Sequence, residues 1–243
     1  MLLAFEALVL MAAAATSTPT ACKGTLYLTI DTGSMSQAER IAGILNKHKV
    51  KATFFLANEK TVNGDYTLDD AWAPYWKARV AEGHKFGSHT WRHGYYRADL
   101  PDGRVRYVVH GKPEIQDRAA VCAELNRVNA RFEQMTGRKL DPLWRAPGGH
   151  TTPNVLRAAE ACGYKHIGWP EAGFLGDELP SDKYPNAMLL ERALKNLKDG
   201  DVMLMHTGIY SRKDPFAPML DPLLEGLKAK GFCFATVPSE ARP

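Results

Sequence analysis

The sequence predicts a single α/β domain built on a parallel sheet with helices over its outer side. Three observations carry that reading. Short apolar runs rich in β-branched and aromatic residues alternate with helical patterns along the chain. The runs are nearly continuous in apolar character, as strands covered by helices require. The length of 243 residues suits one large α/β domain or two small ones, and no internal repeat divides it.

The strands, in order, are Thr25–Ile30, Ala52–Leu56, Lys85–Ser88, Leu143–Arg145, His166–Trp169, Val202–Met205 and Phe232–Val237. Between them, Gln37–Lys47 places Ile41, Ile44 and Leu45 on one helical face. Ala119–Met135 carries Cys122, Leu125, Val128, Phe132 and Met135 at steps of three or four. Met219–Lys230 turns Leu220, Leu223, Leu224 and Leu227 inward, and Gly231 is a good helix stop. Thr61–Asp70 and Tyr95–Lys112 have weaker patterns and read as loops decorating one domain. Right-handed crossovers put the strand C-termini on one rim, where catalytic groups collect in α/β barrels.

Composition excludes several classes. Hydrophobic residues at 45% and charged residues at 24% rule out a disordered or fibrous chain. The net charge of +4 suits an anionic surface or polymer and falls short of a nucleic-acid-binding signature, so no nucleic-acid partner is expected. No stretch after residue 15 is apolar for long enough to span a bilayer, so no transmembrane anchor is expected. Residues 1–21 read as a signal peptide and leader, with small residues Ala13–Ala15 offering a cleavage site. The other reading of that stretch is a short buried helix. Export to the periplasm or beyond follows from the first, with residues 22–243 as the catalytic domain and a monomer as the expected state. Exported chains permit disulfides, so Cys22 is expected to pair with Cys233 and Cys122 with Cys162; the alternative is four free, mostly buried thiols.

Several polar groups fall where apolar runs end. His89 and His93 stand four apart, which on a helical turn brings two imidazoles near enough to grip one metal; alone, the pair also fits a surface turn. Asp31, in Thr29-Ile30-Asp31-Thr32-Gly33, suits a general base or a cap for the helix beginning near Ser36. Arg145 can fix the charge and direction of a carboxylate, and Gly148 and Gly149 after it allow a turn with exposed N–H groups. His206 follows Val202–Met205 and can donate a proton to a leaving group, or be a satisfied core histidine.

Taken together and in this order, these clusters resemble the polysaccharide deacetylases of the NodB-homology type, carbohydrate esterase family 4. The resemblance covers about residues 24–240. Thr29–Gly33 is similar to that family's T-F-D-D-G motif, His89–His93 to H-[ST]-x-x-H, Arg145–Gly149 to R-x-P-[YG]-G, and Leu204–His206 to L-x-H. The resemblance implies a deformed (β/α) barrel of about seven parallel strands. It implies one divalent metal, zinc above all, and removal of acetyl groups from an N-acetylated glycan. By it, Asp31 matches the base, Arg145 the residue that tethers it, His206 the general acid, and His89 and His93 the metal ligands. The Gly148 N–H matches an oxyanion donor.

Two positions depart from the pattern. Thr32 stands where the family has a metal-binding carboxylate, and it is taken as the third residue of the metal site. The fourth motif, D-x-x-D-W, has no clean counterpart; Trp169-Pro170-Glu171-Ala172 lies in its region, and Asp177 is farther along. Trp169, with Trp91, Tyr95 and Tyr96, is a candidate for stacking on sugar rings, and Leu204 for lining a pocket for the acetyl methyl. The expected function is deacetylation of a wall polysaccharide, peptidoglycan first, with chitin oligosaccharides and xylan as alternatives. A different class remains beside it: a catalytically impaired carbohydrate-binding protein on the same fold, favoured by Thr32 and the missing fourth motif.

Overall fold

The structure, a computed structural model, describes residues 21–239. Nearly all of the expected leader, residues 1–20, lies outside the described residues.

The elements in order are β1 (Gly24–Asp31), α1 (Ala38–His48), β2 (Thr53–Leu56), α2 (Ala73–Ala81), β3 (Lys85–Ser88), β4 (Tyr95–Asp99), β5 (Val105–Val109), β6 (Lys112–Gln116), α3 (Arg118–Thr136), β7 (Leu143–Trp144), α4 (Pro153–Ala161), β8 (Lys165–His166), α5 (Asn186–Asn196), β9 (Val202–His206), α6 (Leu220–Ala229) and β10 (Phe232–Ala235). Seven strands form one sheet in the order β10-β1-β2-β3-β7-β8, with β9 also on β1. Every pairing in it is parallel. The sheet curls into a half-barrel and, with its helices, makes a single α/β domain. The strand expectations therefore hold to within a few residues at each end.

Alternation along the strands sorts two layers. Leu26, Leu28 and Ile30 of β1 join Phe54, Phe86, Met203 and Met205 in the main core, against α1, α3 and α6. Burying each such side chain contributes about 1.5–3 kcal/mol. The opposite faces of the same strands bring Tyr27, Phe55, Leu143 and Ile167 together inside the barrel. Side chains repeat every second residue. Asp31 therefore shares the interior face of β1 with Tyr27, and His206 that of β9 with Leu204. The chemistry follows from a period of two.

Tyr95–Lys112 is not a loop. It holds β4, β5 and the start of β6, a separate antiparallel sheet. Tyr96, Val105 and Tyr107 of that sheet pack on Val121 and Leu125 of α3 and on Val155 and Ala159 of α4. Its strands carry the exposed Arg97, Asp99, Arg106, Lys112 and Pro113, which dilute the apolar pattern. Tyr96 is thus core, not a sugar platform.

Both expected disulfides form. Cys22–Cys233 ties the segment before β1 to β10, and Cys122–Cys162 ties α3 to the end of α4. α3 begins at Asp117, whose side chain accepts from the Ala120 N–H at 2.8 Å, and ends at Gly137 with φ 77°, the left-handed stop glycine permits.

Candidate active site

The last residues of β1 and β9 lie side by side: Asp31 and His206 are register partners. The chain beyond each strand is drawn in tightly. A Cβ at Gly33 would stand 2.3 Å from the Gly208 carbonyl oxygen, so only glycine fits there. Arg145 leaves the end of β7 and reaches across the barrel. Its Nη1 donates to Asp31 Oδ1 at 2.8 Å and its Nε to the Ile167 carbonyl at 3.0 Å. The guanidinium carbon sits 4.4 Å over the Phe55 ring and 5.2 Å from that of Trp169. Arg145 is fully buried and Asp31 nearly so. Burial depresses the Arg145 pKa, and the aspartate opposes that fall. Asp31 does not cap a helix; α1 starts at Ala38 behind Gln37.

His206 is held by a residue the sequence reading left unassigned. Asp177 Oδ2 accepts the His206 backbone N–H at 2.6 Å, and Asp177 Oδ1 lies 3.0 Å from His206 Nδ1. Burial works against a charged ring, yet Asp177, with Asp31 and Glu178 behind it, raises the pKa to about 9. The ring therefore carries its proton at neutral pH. Glu171, the nearer carboxylate in sequence, is exposed in a 3-10 turn. The signal for Asp177 is weak, because a helix, α5, and irregular segments on either side of it separate it from β9.

His89 and His93 come together, but not on a helix. Residues 89–93 form a loop after β3 in which Thr90 (φ 64°) and His93 (φ 51°) are left-handed. The ring centroids are 4.8 Å apart. A buried carboxylate from α3 holds this strained loop: Glu124 Oε2 accepts the N–H groups of Trp91 and Arg92 at 3.1 and 3.0 Å, and Oε1 pairs with the Arg92 guanidinium. Backbone conformations of this kind cost about 1–3 kcal/mol each and persist where the surroundings enforce them.

His89 Nδ1 faces the Arg145 carbonyl at 2.9 Å. A carbonyl only accepts, so Nδ1 carries the hydrogen and Nε2 a lone pair. Nε2 points at Asp31 Oδ2 across 3.4 Å. Burial and the neighbouring His93 push the His89 pKa well down, so the ring is neutral. Two acceptors facing each other at that distance call for a cation between or beside them. An imidazole fixed through its other nitrogen by a carbonyl is also how metal-binding histidines are oriented. The donor types thus fit a divalent, imidazole-preferring ion. Among the described residues, no three His, Cys, Asp or Glu side chains stand gathered as a finished cage.

Thr32 is nearly inaccessible. Its hydroxyl accepts the Ala57 N–H at 2.9 Å and donates to Glu59 Oε2 at 2.8 Å. Glu59, three residues after the end of β2, was not among the expected site residues, although it stands at the rim like the others.

Gly148 is left-handed (φ 60°) in a 3-10 turn whose own hydrogen bonds use the Gly149 and His150 amides. A Cβ there would also meet the Tyr95 ring at 2.8 Å. Trp169 lies against Gly149, half-buried. Leu204 is buried on the interior face of β9, beside Thr29. A cavity of about 660 Å³ adjoins His93, lined by Glu59, Tyr66, Trp91, Tyr95 and Tyr210.

A parallel half-barrel with a buried Asp–Arg pair, a carboxylate-backed histidine and two close imidazoles on one rim defines a class of hydrolase-type scaffold. The polysaccharide deacetylase family profile matches residues 18–167, and the protein belongs to that family. A peptidoglycan-N-acetylglucosamine deacetylase of Bacillus cereus is 25% identical over 215 residues, which are 87% of this chain and 85% of that protein. The peptidoglycan-N-acetylmuramic acid deacetylase PdaA of Bacillus subtilis is 28% identical over 215 residues, 88% of this chain and 70% of that protein. Among solved structures, wild-type BA3943, a CE4 family pseudoenzyme from Bacillus anthracis, superposes with a TM-score of 0.67 at 22% identity, over 88% of this chain and 64% of its own. A family 4 carbohydrate esterase from Streptomyces lividans in complex with acetate reaches 0.66 at 18% identity, over 90% and 95% of the two chains. At these identities the structures speak for the fold alone. No helix of the described residues is long and apolar enough to cross a membrane.

Proposed function

We propose that the protein is a divalent-metal-dependent deacetylase that removes N-acetyl groups from peptidoglycan amino sugars outside the cytoplasm. The observation that carries this reading is the register pairing of Asp31 with His206, each held by an opposite partner, Arg145 and Asp177. Asp31 is paired with a guanidinium, and Asp177 keeps the neighbouring His206 an imidazolium. That is the division of labour amide hydrolysis needs. The names of the curated relatives favour peptidoglycan, and the two disulfides suit an oxidising compartment.

His89 and His93 would hold the metal, zinc being the ion that suits two imidazoles. When bound, such an ion polarises the acetyl carbonyl and makes water acidic enough to attack at neutral pH. Asp31 accepts the proton of the attacking water through the oxygen that Arg145 leaves free. The Gly148 N–H stabilises negative charge on the acetyl oxygen. His206 gives its proton to the amine nitrogen, without which the C–N bond does not break readily. Asp177 keeps that proton in place until it is needed. Trp169 and Tyr95 flank the rim where a sugar ring would lie, and Leu204 closes the floor beneath the acetyl methyl.

The test is acetate release from N-acetylated peptidoglycan and from chitin oligosaccharides, with added zinc and after chelation. Release that zinc restores, and that Asp31→Asn and His206→Ala both abolish, supports the reading. Thr32 in place of a carboxylate favours a second reading, a carbohydrate-binding protein that has lost catalysis. Glycan binding with no acetate release at any zinc concentration would select it.

A further inference from the structure

The metal reading leaves a deficit of charge. His89 and His93 are neutral donors, and a hydroxyl at position 32 neutralises none of a dication's charge. The hydroxyl is already committed on both sides, to the Ala57 N–H and to the Glu59 carboxylate. What it does is hold a carboxylate in place. Glu59 Oε1 lies 3.7 Å from His93 Nδ1. Two donors on one tetrahedral ion, with bonds near 2.0–2.1 Å, stand about 3.3 Å apart. The observed separation is close to that.

The backbone beneath Glu59 is pinned from two directions. Its carbonyl accepts the Thr67 N–H and the Thr67 hydroxyl, both at 2.9 Å. The preceding Asn58 N–H donates to the Trp91 carbonyl at 3.0 Å, inside the histidine loop itself. The segment after β2 and the loop after β3 are therefore tied to each other. By contrast, Asp31 is turned toward Arg145 and has a proton to move.

We propose that Glu59 supplies the anionic ligand of the metal site. The carboxylate comes from the end of β2 instead of the end of β1, with Thr32 as its bracket, and the donor set becomes Glu59, His89 and His93. The proposal rests on the metal-dependent reading above and deepens it. It explains how a site lacking the carboxylate beside the base can still hold a dication.

The experiment is zinc binding by competition with a chromophoric chelator, repeated with cobalt to follow its visible absorption. The proteins are the parent, Glu59→Gln, Thr32→Val and Asp31→Asn, each checked for folding by circular dichroism. The parent is expected to bind both ions. Glu59→Gln is expected to weaken zinc by about 100-fold or more, beyond the 10–100-fold typical of losing an orienting partner, and to alter the cobalt spectrum. Thr32→Val and Asp31→Asn are expected to cost about tenfold or less. If Glu59→Gln binds zinc within about threefold of a zinc-binding parent, Glu59 is no ligand, while the metal-dependent function stands. A loss in Thr32→Val or Asp31→Asn as large as that in Glu59→Gln overturns the assignment in favour of that residue. A folded parent that binds no zinc at millimolar concentration overturns this proposal and the metal-dependent function together.

Discussion

Asp177 grips His206 at two points, one carboxylate oxygen on the backbone N–H at 2.6 Å and the other 3.0 Å from Nδ1. The ring's position and its protonation are thus set by one side chain. The first contact fixes where β9 ends; the second keeps the imidazolium charged to about pH 9.

From this follows a pH dependence with a definite sign. In the proposed mechanism His206 acts while protonated, so activity is expected to fall as pH rises through its folded pKa. The alkaline limb of kcat/KM for acetate release is expected at about pH 9. In Asp177→Asn the main opposing charge is gone and burial remains, so the limb is expected to move down to about 6.5 or below, the ordinary histidine value. A pH–rate profile of both proteins checks this; an unmoved limb assigns the titration to another group.

The Asp31–Arg145 pair should respond asymmetrically to substitution. Arg145→Met leaves a buried carboxylate without its paired guanidinium, and such a loss costs about 3–5 kcal/mol. Asp31→Asn retains an amide that still accepts from Arg145, although it leaves a buried guanidinium charge without its anion. Urea denaturation is expected to rank Arg145→Met as the more destabilised, while both variants release no acetate above background.

Glu124 offers a separate handle on the histidine loop. Glu124→Ala strips acceptors from the Trp91 and Arg92 N–H groups and from the Arg92 guanidinium. Unsatisfied groups cost about 1–3 kcal/mol each, less where water can reach them. Zinc affinity is expected to fall at least tenfold while Glu124→Gln retains most of it, since the amide oxygen still accepts from the loop. Parallel zinc titrations check the order.

Stability itself should peak near pH 6.5. His84 is buried and His166 half-buried, and burial depresses both pKa values to about 4, so they stay neutral in the fold and charge in the unfolded chain. Between about 6.5 and 4 the unfolded state binds more protons, and stability falls as pH falls. His206 runs the other way. Its contribution is whole below about 6.5 and is lost as pH rises toward 9. Thermal midpoints measured from pH 4.5 to 9 are expected to decline on both sides of that value.

How far the sequence reaches can be seen from particular residues. β1, β2, β9 and β10 are legible as short runs rich in apolar residues, and in β1 and β9 the period of two then places Asp31 and His206 inside the barrel. The antiparallel sheet β4–β6 is not legible, because its exposed face alternates charged residues with the core-facing Tyr96, Val105 and Tyr107. The four-residue spacing of His89 and His93 is real, but its helical interpretation fails: left-handed Thr90 and His93 bring the rings together by a loop.

By itself the sequence determined the strands of the parallel sheet, the cysteines available for pairing and the residue types at the rim. These depend on local periodicity and on which side chain stands where. Only the tertiary structure decided the partners: Asp177 rather than Glu171 behind His206, Glu124 beneath the histidine loop, and Glu59, held by Thr32, beside His93. Such choices are made by hydrogen bonds between segments 27 to 33 residues apart or more. They are set by how loops of irregular length close over the rim, and no spacing rule along the chain encodes that closure.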